Sequence, residues 1–363
     1  MNQLSLYANV GPELTHYDVD VSGAALARRG TVTLPANVQY AWPHKSRQFL
    51  YVATSDSESG MGRAGTNHHV TALKIGNDGA LSQHGAPIAL PTRPIHMATD
   101  IDSKFVLVAF NNPGAIRVYR INPDNTPGEE VKQSNAIDPG IFPHQVRATL
   151  DNRQIILVAR GHDAEPSKPE EPGSLKVFDF KDGVLSSQAS IAPGGGYGFG
   201  PRHLDFHPTK PWVYVSLERQ NAVDLFTLTN GALSATPLFR KPTLSRTPIQ
   251  RQAVGTVHVH PNGRTVYVAN RGRDAEGENS MAVFAIDPAT GEPNLTQHID
   301  THGVHPRTFH IDPSGKLMAI AHITGAALSL FRIADDGKLA FARTYDIDVG
   351  KRTMWWMGMV QQP

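Results

Sequence analysis

The stretch GPRHLDFHPTKPWVYVSLERQ, Gly200 to Gln220, places Arg202 before a Pro-led turn and Glu218 straight after the apolar run WVYVSL. That run has no polar alternation, so a strand formed by it is buried on both faces. The segment HPTKP carries the turn chemistry that folds the chain back on itself. Read as strand–turn–strand, the two strands are antiparallel, so the start of the first and the end of the second lie side by side. Arg202 and Glu218 then sit at one end of one hairpin. Whether this is incidental depends on how often the pattern recurs.

It recurs along the whole chain. Apolar cores stand at FLYVATS from Phe49, FVLVAFN from Phe105, IILVARG from Ile155, WVYVSLE from Trp212, TVYVANR from Thr265 and KLMAIAH from Lys316. The spacing of about fifty to sixty residues is a little above the usual repeat of a four-stranded propeller blade. Each core is followed by an alternating strand (HVTALKI, AIRVYRI, SLKVFDF, AVDLFTL, MAVFAI, ALSLFRI), and most of these by a tight turn such as Asp78-Gly79, Asp182-Gly183, Asn230-Gly231 or Asp336-Gly337. Each unit is therefore strand A, turn, strand B, loop, strand C, hairpin, strand D, which makes one blade. The N-terminal LSLYANV matches a strand B without an A, and the C-terminal TMWWMGMV is a strand without a B. Joined, they complete a further blade. The expectation is an all-β, seven-bladed β-propeller forming a single domain over residues 1–363, its seventh blade closed by pairing Met354–Val360 with Leu4–Val10.

Composition agrees and excludes other classes. The 363 residues hold 32 Gly and 27 Pro, no Cys, and a net charge of +1. Disulfides, zinc–thiolate sites and thiol nucleophiles are excluded, and no field-wide attraction to nucleic acid is expected. No apolar run approaches membrane-spanning length. The start MNQLSLYANVGPELTH lacks the basic and apolar regions of a signal peptide, so a cytoplasmic protein is expected. A closed propeller needs no partner to protect its edges, which suggests a monomer or a weak homo-oligomer.

The hairpin ends can now be compared in register. Fourteen residues before the last small residue of each B core lie Gln39, Ile95, His144, Arg202, Gly255 and Arg307. Two residues after it lie Ser55, Asn111, Arg160, Glu218, Arg271 and Ile323. Strand A is innermost in a blade, so these ends ring one mouth of the central channel. The first two units are neutral, whereas the next four supply His144, Arg160, Arg202, Glu218, Arg271 and Arg307. Taken singly, each could be a hairpin end paired with its neighbours; in register they mark a pocket. Excess positive charge in a concave mouth predicts an anionic ligand, because guanidinium forks grip carboxylate or phosphate. His144 is the group in this ring whose ordinary pKa permits proton transfer near neutrality.

At these residues, and through GPRH…FHP, VYV-x-x-E, ANR and the split last blade, the chain resembles the lactonase family of seven-bladed propellers. That family includes bacterial 6-phosphogluconolactonases and fungal carboxymuconate lactonizing enzymes. The resemblance implies cofactor-free chemistry on lactones bearing negative groups. It also implies that His144, Arg202, Glu218 and Arg271, in order and approximate spacing, are the mouth residues of the lactonizing enzymes. The chain departs in its longer loops after strand B of units one, three and five, and in reading GKRTMWWMG where phosphogluconolactonases tend to G-P-x-W.

The expected catalytic residues are thus His144, Glu218, Arg202 and Arg271. Arg160, Arg307, Asn111, His203 and Tyr197 are expected to bind substrate, Tyr197 or Phe199 reaching the mouth from the loop GGGYGFGP. The expected partner is a small anionic lactone or, for the alternative cycloisomerase reaction in which a carboxylate adds across a double bond, an unsaturated diacid, with no nucleic acid or membrane. A propeller scaffold binding a peptide or protein at the mouth is the non-enzymatic alternative. No cofactor and no metal are expected: the acidic loops GHDAEPSKPEEPGS and GRDAEGENS, which share Asp-Ala-Glu from Asp163 and Asp274, read as solvated chain. His258 and His310, equivalent to Asp205, are expected to tie blades together within the channel, and TMWWMGMV to pack at the closure.

Overall fold

The computed structural model describes all residues except 1–2, 59–61, 250–251, 325–326 and 348–352. Its strands form seven antiparallel sheets. Blade I begins with strands Asn37–Pro43 and Phe49–Ser55, blade II with Pro94–Thr99 and Phe105–Asn111, and blade III with Pro143–Ala148 and Gln154–Ala159. Blade IV begins with Pro201–Phe206 and Trp212–Leu217, blade V with Ala253–Val259 and Thr265–Arg271, and blade VI with Val304–Ile311 and Leu317–Thr324. In blade VII, Met357–Gln361 takes the A position beside Leu4–Val10, followed by Glu13–Asp20 and Ala25–Thr33. The pairs run from Leu4 opposite Gln361 to Ala8 opposite Met357.

The closing strand is therefore shorter than its sequence suggests. Met354 to Trp356 do not pair in the ladder. Asn9 turns them aside, its Oδ1 accepting from the N–H of Trp355 (3.0 Å) and of Trp356 (2.8 Å).

The uninterrupted apolar run of strand B follows from how blades stack. Trp212 and Tyr214 pack toward blade V, whereas Val213, Val215 and Leu217 pack toward blade III. Successive side chains of a strand point to opposite faces, so a sheet sandwiched between two others must be apolar at every position. The core is consequently divided into slabs, one between each pair of neighbouring blades. Each fully buried Val or Leu in them contributes about 1.5–3 kcal/mol. Among the described residues no helix is long and apolar enough to cross a membrane.

Polar ties reinforce the slabs. The hydroxyls of Tyr7, Tyr214 and Tyr267 donate to the carbonyls of Gly79, Gly291 and Gly337, at 2.7, 2.8 and 2.7 Å. In each case a strand B tyrosine reaches the C–D turn of the next blade. Within the channel, Asp205 accepts from Arg147 (3.3 Å) and the Val259 N–H (2.9 Å) and shares a hydrogen bond with His258 Nδ1 (3.3 Å), joining blades III, IV and V. This is the blade-tying role expected for His258.

Candidate active site

In blades I to VI, strand A is irregular near its start, and a residue there is left without a partner opposite. The unpaired residues are Gln39, Ile95, His144, Arg202, Gly255 with Thr256, and Arg307. A bulge bends its strand and re-aims the side chain at the extra position. The positions that stand in register in the sequence are thus positions where the backbone turns a side chain toward the mouth. The facing hairpin ends are fixed by backbone bonds: the Glu218 N–H donates to the Gly200 carbonyl (2.9 Å), and the Arg160 N–H to that of Phe142 (3.0 Å).

Glu218 is the hub of the site. Its carboxylate is paired with Arg160 and Arg271 by short hydrogen bonds and with Arg202 Nε at 3.6 Å. Burial pushes the Glu218 pKa up, but Arg160, Arg271 and Arg202 outweigh burial and hold it well below the usual carboxylate value. Arg202 is 1 % exposed, with Nε and one terminal nitrogen lacking any hydrogen-bond partner. Arg271 donates to the Val254 carbonyl (3.1 Å) and touches His305 Nε2 at 3.3 Å. His144 is buried, its Nδ1 without a partner. Burial, and next the charge of Arg202, hold its imidazole well below the ordinary value, against an upward pull from Glu218. At neutral pH it is an uncharged base.

Glu218, Arg160, Arg271 and His144 line a cavity of about 510 Å³, which also takes in Arg93, Asn111, His305, Arg307 and Trp355. A contiguous bay of about 340 Å³ runs from Glu218 and Arg271 out to Arg219 and Arg273. His144, Arg160, Arg271, Glu218, Arg307 and Asn111 therefore share one wall system. Arg202 lies directly behind it, against Glu218. His203 is a step deeper in the channel, its ring 5.2 Å from that of His144 and 5.9 Å from that of His96. Tyr197 does not join them: it is 59 % exposed, whereas Phe199 is 1 % exposed and packs in the slab between blades III and IV. The glycine-rich loop is pinned outside the mouth by that phenylalanine and by Glu170, which accepts from the Gly198 N–H (2.7 Å).

The acidic loop of blade III is more ordered than its composition suggests. Asp163 pairs with Arg160 and Arg219, and Glu170 with Arg219 at 3.1 Å. Asp274 accepts from the N–H groups of Glu276 and Gly277 (both 3.1 Å). Those carboxylates are engaged by guanidinium and backbone groups.

Among the mouth residues missing from the sequence expectation are Arg93, His305, Arg273 and Trp355. Arg93 and His305 occupy one recurring place, two residues before the bulge, shared with Asn37, Phe142, Gly200 and Ala253. Phe142, Gly200 and His305 have φ of 53°, 47° and 62°, so the backbone there is left-handed and strand periodicity gives no direction. Trp355 belongs to the segment expected only to pack at the closure. Met354 and Trp356 do so, while Trp355 turns into the mouth with its ring 4.3 Å from the Arg307 guanidinium.

Residues 5–356 match the family described as lactonase, 7-bladed beta-propeller. The chain is 29% identical over 355 residues to a 6-phosphogluconolactonase of Bacillus subtilis, covering 92% of this chain and 91% of that protein. A second 6-phosphogluconolactonase, from Cronobacter sakazakii, is 28% identical over 345 residues, covering 91% of this chain and 92% of its own. The crystal structure of a putative 6-phosphogluconolactonase from Bacteroides uniformis superposes with a TM-score of 0.80 at 18% identity, covering 99% of this chain and 100% of the other. A periplasmic gluconolactonase from Pseudomonas aeruginosa gives 0.76 at 19%, with the same coverage. With its blades, its split closure and its family match all running the length of the chain, the protein belongs to the lactonase family of seven-bladed β-propellers.

Proposed function

We infer that the protein hydrolyses a lactone carrying an anionic group, with sugar-acid lactones of the 6-phosphogluconolactone kind as the leading substrates. The observation that carries this reading is Glu218 gripped by three guanidiniums beside an uncharged, buried His144 in one cavity. The names of its relatives support the same chemistry.

In the proposed mechanism, the lactone carbonyl oxygen lies toward Arg271, which lines the cavity, while the charge of Arg202 directly behind Glu218 adds to the positive field where negative charge develops. Neutral His144 takes a proton from water as its oxygen attacks the carbonyl carbon. The resulting imidazolium returns that proton to the ring oxygen as the carbon–oxygen bond breaks. The products are a hydroxyl group and a carboxylate, with one proton released to solvent. Glu218 stays ionised and holds the arginines; with its pKa so far down it is a poor competing base. Asn111 contributes to the wall against which the ring is set. A cytoplasmic enzyme, monomeric or weakly homo-oligomeric, is part of this proposal, to be checked by fractionation and size-exclusion chromatography.

The test is a panel of phosphorylated, carboxylated and neutral lactones followed by acid release, with unsaturated diacids followed by ultraviolet loss. Each is run with and without prolonged chelation. Turnover of an anionic lactone that survives chelation is expected. Turnover of diacids alone would reassign the protein to the cycloisomerase direction. Activity abolished by chelator and restored by calcium would overturn the metal-independent mechanism.

A further inference from the structure

The cationic wall of the cavity has two poles that differ in how their charge is met. At one pole Glu218 partners Arg160, Arg271 and Arg202. At the other stand Arg93 and Arg307, neither of which is ion-paired with a carboxylate among the described residues, although Glu218 attracts Arg307 from a distance. Arg93 is only 6 % exposed. Its Nε donates to Gln39 Oε1 at 2.8 Å, and one of its terminal nitrogens has no hydrogen-bond partner among the described residues. Gln39 is itself the bulge residue of blade I, and its amide nitrogen donates to the Asn37 carbonyl (3.2 Å). The amide oxygen is thereby turned to Arg93, a neutral acceptor that aims the guanidinium without cancelling its charge. Arg307 lies with its guanidinium over the Trp355 ring at 4.3 Å, which leaves its edge for hydrogen bonding.

We propose that Arg93 and Arg307, oriented by Gln39 and Trp355, form the subsite that receives the anionic substituent of the substrate, a phosphate or carboxylate group. This rests on the lactonase reading for the identity of the ligand, but not for the presence of the anion site. A buried donor left unsatisfied is costly, and two neighbouring guanidiniums with no ion-paired carboxylate among the described residues are costlier still, unless an anion completes them. The directions of their pKa values agree: burial pulls Arg93 down to about 10, and burial together with the charges of Arg271 and Arg93 pulls Arg307 down to about 9. A guanidinium remains protonated in a protein, so the downward pull registers the cost of burying charge and, at Arg307, repulsion from Arg271 and Arg93 as well, both of which a bound anion offsets. Bidentate geometry suits two oxygens of one group. The Glu218 pole, already neutralised in part, is then left for the reacting carbonyl.

Two variants test this without touching the Glu218 pole. Arg93→Gln removes the charge. Gln39→Glu keeps the shape of the orienting side chain and supplies the missing internal carboxylate, so that Arg93 is occupied from within. Titration of the full chain with inorganic phosphate, and separately with acetate, read by Trp355 fluorescence and by calorimetry, should give binding to the wild type. That binding should be weakened about tenfold to a hundredfold in both variants. The stronger of the two probes identifies the preferred anion. On an anionic lactone both variants should raise KM with little change in kcat, and the rise in KM should be larger for an anionic than for a neutral lactone. Circular dichroism and Tm establish that each variant is folded; the Gln39→Glu arm covers the case in which Arg93→Gln fails to fold. Unchanged phosphate and acetate affinity in a folded variant overturns the subsite, whatever the activity. Arg93-dependent anion binding in a protein that opens no lactone keeps the subsite and removes the lactonase reading.

Discussion

His144 is a base whose surroundings oppose its charged form. Burial comes first among the causes and the Arg202 charge second, while Glu218 pulls the other way. His144→Ala should therefore lower kcat by about a hundredfold or more with KM nearly unchanged, as expected when a proton-transfer group is lost and binding is not. Full activity of the folded variant on its best substrate would remove His144 from the mechanism. Glu218→Gln keeps the shape and deletes the charge that raises the His144 pKa. The acid limb of the kcat/KM profile, which reports the free enzyme, should move to lower pH in this variant. An acid limb that stays in place would mean that some other group sets it. These residues were legible in the sequence because they share a register across repeats. Arg93 and His305 share one too, two residues before the bulge; at His305 the backbone turns left-handed, so period-2 reasoning gives its side chain no direction.

The strand A bulge and the strand B tyrosine convert a repeat into a site and a ring. The bulge is invisible to hydropathy, because Gln39, Ile95, His144, Arg202, Gly255 and Arg307 share no chemistry; only backbone pairing reveals what unites them. The tyrosine tie is visible as the repeated L/V-Y of strands B, although its acceptor in the next blade is not. Gly291 shows how tight that joint is. Its φ is 78°, and a Cβ there would lie 2.7 Å from the Trp212 ring. Tyr214→Phe keeps the ring in its slab and leaves the Gly291 carbonyl unpaired, so it should cost about 1–1.5 kcal/mol. A fall in Tm of about 2 °C by differential scanning calorimetry would match this. An unchanged Tm would show that the hydroxyl contributes nothing to blade-to-blade cohesion. The glycine-rich loop misled for a related reason: composition identified a connection, but a single buried side chain, Phe199, decides where it lies.

For the molecule as a whole, stability is carried by the slabs between blades and by the Met357–Gln361 strand that shuts the ring, yet its axis and blade joints store buried imidazoles. His96, His144 and His203 are held well below the ordinary histidine value, chiefly by burial and next by arginine charge. Burial first, then neighbouring charges or hydrogen bonds, sets His305 to about 3, and His310 and His322 to about 4. An unfolded chain protonates the same rings near pH 6.5. Between that value and the folded ones the unfolded state therefore binds more protons, and stability must fall as pH falls. The contribution is fully present above about pH 6.5 and is lost on acidification through the folded values, which for His310 and His322 means toward pH 4. Within that window each such histidine steepens the dependence by about 1.4 kcal/mol per pH unit. Urea midpoints should thus drop steeply between pH 7 and pH 5, well before most carboxylates titrate. The slope should be shallower in His310→Asn, since one proton no longer distinguishes the two states. A midpoint that stays flat from pH 7 to pH 5 would mean that the axis admits protons freely, and with that the dry, uncharged setting required of His144 would be lost as well.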